Sequence, residues 1–87
     1  MFTGLQFKGQ VPANSSRRWF SEDWPADWQV IWNVVPATPN KGVPQIDWRV
    51  EVECAKADRL TYWITVRNLS ALPVEVEGRF IVVPQEG

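Results

Sequence analysis

Residues 45–54 read QIDWRVEVEC, and this stretch decides the fold. Ile46, Trp48, Val50, Val52 and Cys54 fall on one side, and Asp47, Arg49, Glu51 and Glu53 on the other. Apolar and polar residues alternate without a fault, the pattern of a half-buried strand in an antiparallel sheet. Cys54 is therefore expected on the buried side, as an inert small hydrophobe.

The period of two continues downstream. Leu60, Tyr62, Ile64 and Val66 share one face, and Thr61, Trp63, Thr65 and Arg67 the other. The short link between the two segments predicts an antiparallel hairpin. After the turn-forming stretch 68–73, Val74, Val76, Phe80 and Val82 point inward, and Glu75, Glu77 and Arg79 outward. Gly78 inside this strand predicts a bulge or a close backbone approach.

Upstream, Trp28, Val30, Trp32 and Val34 alternate with Gln29, Ile31, Asn33 and Val35, so both faces are partly apolar. A central strand, or one covered by a partner, reads this way. Residues 36–44 hold three prolines and a glycine and predict a long stiff connection between sheets or edges. In the first third, Leu5, Phe7, Gly9 and Val11 share one face of a strand, and Arg17–Phe20 reads as a short strand. Residues 21–27 read as a loop.

The chain has 87 residues and is expected to form one domain over residues 1–87. No proline-free window supports a long helix. The predicted fold is all-β: a small antiparallel β-sandwich, immunoglobulin-like or jelly-roll-like, of five to seven strands. A domain this small buries only about 60–65% of its unfolded surface, so its core needs large side chains. Six tryptophans supply them.

Composition excludes several functions. Nine Lys plus Arg stand against ten Asp plus Glu, for a net charge of −1. The basic residues are scattered apart from Arg17-Arg18, so neither nucleic acid nor an anionic membrane is expected as a partner. One cysteine provides no internal disulfide. The absence of histidine removes the commonest general base and zinc ligand. The N-terminus lacks signal-peptide character, and no apolar run approaches the roughly 20 residues of a membrane helix. The expected location is cytoplasmic as given, unless the chain is a domain of a larger or exported protein.

Four tryptophans lie within residues 19–32. Trp24, Trp28 and Trp32 are spaced by four, which fits a helix face or a strand face. Pro25 and the β-branched Val30, Ile31, Val34 and Val35 decide for the strand. Trp28, Trp32 and Trp48 are then expected in the core. Trp63 stands on a polar face beside Thr61, Thr65 and Arg67; Trp19 follows two arginines; Trp24 lies in an acidic stretch. These three are the candidates for exposure.

An exposed indole stacks on a flat ligand or lines an interface. The expected ligand-binding residues are Trp63, Trp19, Trp24, Arg67 and Asp23, with Asn33 as a further polar contact. Catalysis is not expected. The alternating Glu51, Glu53, Glu75 and Glu77 read as solvated faces opposite arginines rather than as an acid–base pair. Glu22, Asp23 and Asp27 do not match a calcium loop, and no metal or cofactor is expected. The two Asn-x-Ser triplets at Asn14 and Asn68 are weighed as chance matches.

The stretch TYWITVRNLSALPVEVEGRF, residues 61–80, resembles the hairpin of bacterial immunoglobulin-like and fibronectin-type modules. There a strand ending in Val-x-Asn precedes a turn and a Pro-Val strand. The resemblance covers about a quarter of the chain and implies a fold, with no site residues.

Two functions follow as expectations. The first is a non-catalytic binding module for a glycan or other flat ligand. The alternative is a structural or assembly protein that forms a homo-oligomer through aromatic and apolar sheet faces. Ile31, Val35, Ile81 and Val83, on faces that a monomer would make polar, favour an oligomer.

Overall fold

The computed structural model describes residues 2–83. Six strands follow in chain order: β1 (Phe2–Val11), β2 (Ser16–Pro25), β3 (Gln29–Pro36), β4 (Ile46–Lys56), β5 (Arg59–Asn68) and β6 (Val74–Val83). They form two antiparallel three-stranded sheets of order β1-β6-β3 and β2-β5-β4. This is the small β-sandwich that the alternation predicts, and the described residues contain no helix.

The inward residues interdigitate as a continuous core. Val11, Trp32, Val34, Tyr62, Ile64, Val66, Val74 and Val76 are buried in it. The chain crosses between the sheets at every connection except β4–β5. That hairpin forms as predicted, with Ile46 opposite Asn68 and Cys54 opposite Leu60. The proline-rich residues 37–45 link β3 to β4, both edge strands.

Gly78 is a close-approach position. A Cβ there would run into the ring of Phe7, which covers the bare backbone. The register of β1 shifts between Leu5 and Phe7, next to Gly78. This bulge turns Leu5 away from the face shared by Phe7 and Val11, and Leu5 is exposed. The expectation of four residues on one face fails for that reason.

Asn68 ties two connections together. It is buried, and its amide donates to the carbonyls of Val11 and Leu72 at 3.0 and 2.7 Å. Its Oδ1 accepts from the Ser70 N–H and hydroxyl at 2.9 and 2.8 Å. A buried amide with these partners organises the turns on either side of the core. The Asn68 triplet is thus structural. The segment 61–80 is an arch between sheets rather than a hairpin, because β5 and β6 lie in different sheets.

Several expectations are corrected. Residues 21–25 continue β2 through a bulge at which Asp23 adopts φ 71°, instead of forming a loop. β3 is an edge strand and not a central one. Trp28 precedes β3 and is 41% exposed, while Trp32 is core as expected. Trp48 is half-buried against the core. Cys54 is exposed, and its thiol meets the Lys56 carbonyl at 3.0 Å. Its side is the inward one, but β4 is an edge strand and its last residues lie uncovered; Val52 is 60% exposed. Among the described residues no helix is long and apolar enough to cross a membrane.

Candidate ligand-binding face

The outer face of β2-β5-β4 is built from the odd-numbered residues of β4 and β5 and the even-numbered residues at the start of β2. Register sets them in rows: Ser16, Arg67 and Asp47; Arg18, Thr65 and Arg49; Phe20, Trp63 and Glu51; then Thr61 and Glu53. Two aromatic rings thus stand side by side on neighbouring strands amid charged side chains.

Trp63 is the centre. Its ring lies 5.3 Å from that of Phe20, tilted by 39°. The Arg18 guanidinium lies over it, 4.3 Å from Cζ to the ring centroid. Its indole N–H donates to Glu53 at 2.8 Å. Arg18 also reaches Glu51 at 3.4 Å. The indole is therefore fixed in orientation by an ionic partner at its edge and a cation on its face.

Arg67 is engaged with Asp47, through Nε at 3.1 Å and a second bond from its terminal nitrogen. This bidentate pair pulls the Asp47 carboxyl below its ordinary 3.8, chiefly by the hydrogen bond from Arg67. Beside it lies a shallow depression of about 440 Å³ lined by Ser16, Asp47, Trp48, Arg49, Thr65 and Arg67. Arg49 is the loosest cation of the face: its side chain is 74% exposed and stands 3.9 Å from Glu51.

The other sequence candidates lie elsewhere. Trp19 points inward and stacks on Phe7 at 4.5 Å, closing the seam between β1 and β2, with Arg17 over its ring at 4.6 Å. Trp24 joins an inward aromatic cluster with Trp28, Trp32, Tyr62 and Phe80. Its indole N–H donates to Ser21 at 2.8 Å. Asp23 stands on the β2 bulge, 3.8 Å from Arg59. Seven residues of β5 lie between Arg59 and Arg67, eight steps that span roughly 26 Å along an extended strand. Asn33 is on the other sheet, opposite Arg79. The structure therefore keeps Trp63 and Arg67 on one face, two rows apart on β5, and puts Asp23 at the opposite end of that strand from Arg67, while Trp19 and Trp24 turn inward and Asn33 lies on the other sheet.

Phe20 is the residue that sequence reading missed. It is 58% exposed, the most open aromatic among the described residues. The alternation Ser16, Arg18, Phe20 against the inward Trp19 was the available signal. Among the described residues no three His, Cys, Asp or Glu side chains are grouped to hold a metal ion. No protein-family model, curated protein or solved structure matches the chain.

Proposed function

We propose that this chain is a non-catalytic binding domain that presents the outer face of β2-β5-β4 to a carbohydrate. The observation that carries the reading is the Phe20–Trp63 pair, two rings on adjacent strands of the open outer face, with Arg18, Arg49, Arg67, Asp47 and Glu53 on the same face. The apolar face of a sugar ring stacks on an aromatic ring, and its hydroxyls bond to planar charged side chains. The adjoining depression extends the platform toward Ser16, Thr65 and Arg67. A site this shallow holds a flat or extended ligand rather than an enclosed one.

The test is a glycan array probed with the wild type and with Trp63→Ala. Binding of at least one glycan class that Trp63→Ala loses supports the reading. An array with no binding, or binding unchanged by Trp63→Ala, removes it.

A second reading, assembly, draws on the other sheet. Thr3, Ile81 and Ile31 stand in one row on the outer face of β1-β6-β3. Ile31 is 46% exposed and Leu5 49%. Exposed aliphatic side chains such as these are what a second copy covers.

A further inference from the structure

We propose that a second copy of this chain adds to the free edge of β4, in an antiparallel two-fold register centred on Glu51. β4 pairs with β5 alone, so its other edge carries unpaired backbone groups. Long open edges of this kind template pairing with another chain.

Three observations fix the partner as another β4. First, the uncovered residues of β4 are apolar on the inward side: Val52 is 60% exposed and Cys54 is exposed. Centring on Glu51 sets Val50 beside the partner's Val52, and Trp48 beside the partner's Cys54. Two-fold symmetry repeats each contact. Second, the same register sets Arg49 opposite the partner's Glu53, twice, and Arg49 is the loosest cation of the face. Opposite charges directly across strands stabilise pairing, and like charges oppose it. Neighbouring registers are worse. Centring on Val50 places Arg49 against Glu51 twice but also Asp47 against Glu53 twice, so the two cancel, and centring on Val52 places Glu51 against Glu53 twice with no opposite pair. Centring on Glu51 leaves one like pair, on the axis, where each Glu51 has Arg18 and Arg49 beside it. Third, the pairs from Trp48 to Cys54 avoid the irregularity between Cys54 and Lys56.

The dimer extends the binding face. Phe20 stands opposite Trp63, and Trp63 opposite Glu51. The row Phe20, Trp63, Glu51 then continues across the axis into the partner's Glu51, Trp63 and Phe20. With strands about 4.8 Å apart, the two Trp63 side chains stand roughly 14 Å apart and the row spans roughly 24 Å. Both platforms share one side of a continuous six-stranded sheet, so an extended ligand engages both and gains avidity. The pairing itself does not depend on what the platform binds.

The test is sedimentation equilibrium of the full chain at high micromolar concentration. The monomer mass is 10.0 kDa, and the dimer gives twice that. Arg49→Glu sets like charges together twice and raises the dissociation constant tenfold or more, while circular dichroism shows the strands intact. Adding Glu53→Arg to that variant restores the wild-type value. Independently, Glu51→Cys in a Cys54→Ser background forms an intermolecular disulfide with diamide. A monomeric wild type, a dimer indifferent to Arg49→Glu, or failure of Glu51→Cys to cross-link overturns the proposal. The second result moves the contact to the Ile31 face. A monomer that still binds glycan through Trp63 leaves the platform standing while this inference falls.

Discussion

Arg18 lies on the face of Trp63, with its guanidinium carbon 4.3 Å from the ring centroid, and the same guanidinium reaches Glu51. The cation both orients the indole and covers it. Under the proposed function, a stacking sugar displaces it or lies against it and Phe20 together. Arg18→Ala is expected to cost at most about 1 kcal/mol of stability, since both contacts are exposed. It also opens the ring, so quenching of tryptophan fluorescence by acrylamide should rise. A large loss of stability in urea would show that Arg18 holds the fold rather than the platform.

Gly78→Ala tests the close approach beneath Phe7. The added Cβ overlaps the ring, and overpacking of this kind typically costs about 1–3 kcal/mol. Phe7→Leu in the same chain should recover part of the loss by freeing space. A neutral Gly78→Ala in a urea titration would contradict the seating of Phe7 on β6.

Asn68→Ala leaves the Val11 carbonyl without its side-chain donor and the Leu72 carbonyl with the Ser70 hydroxyl alone. Leaving buried partners unsatisfied costs about 1–3 kcal/mol. Asn68→Asp keeps the acceptor for Ser70 but loses the donors, so it should recover little. The check is the denaturation midpoint of each variant. Full recovery by Asn68→Asp would mean that the Ser70 contacts carry the turn.

Alternation in 45–54 and 60–67 made the hairpin, the sandwich and most of the core legible. It says which side a residue faces, and nothing about whether the opposite sheet reaches that far. Val52 and Cys54 were misjudged for that reason, at the end of an edge strand. Trp19 looked exposed because it follows two arginines, yet Arg17 reaches over its ring. Leu5 shows another limit, because a one-residue bulge reverses every face before it. Of the site, the polar surroundings of Trp63 were legible. Its neighbours Phe20 and Arg18 depended on the pairing of β2 with β5, a long-range register that no local pattern carries.

Cys54 now has the opposite expectation from a core thiol. At low protein concentration it should react with a disulfide reagent as fast in the native state as in denaturant, because it is exposed. If β4 pairs with β4, native labelling slows as concentration rises. Slow labelling at all concentrations would contradict the exposed end of β4.

The Asp47–Arg67 pair predicts an acid limb. The folded carboxyl is depressed below 3.8, so the native state binds fewer protons than the unfolded one. Its contribution is present above the unfolded value and is lost as pH falls through the lower folded one. NMR titration should place the Asp47 midpoint below that of the same carboxyl in Arg67→Gln. Equal midpoints would show that the pair does not persist in solution.

The proposed binding face is tested most directly on the indole N–H signals of the six tryptophans. The glycan class selected on the array is titrated into isotope-labelled protein, and each indole signal is assigned by substitution. Stacking of the order of 1–3 kcal/mol per ring, by analogy with bases, means that Trp63→Ala weakens binding roughly fivefold to 150-fold. The account predicts that the Trp63 indole shifts most and that the buried Trp32 indole stays in place. A largest shift at Trp24 or Trp28, with Trp63 unmoved, would contradict it and transfer the site to the aromatic cluster within the sandwich.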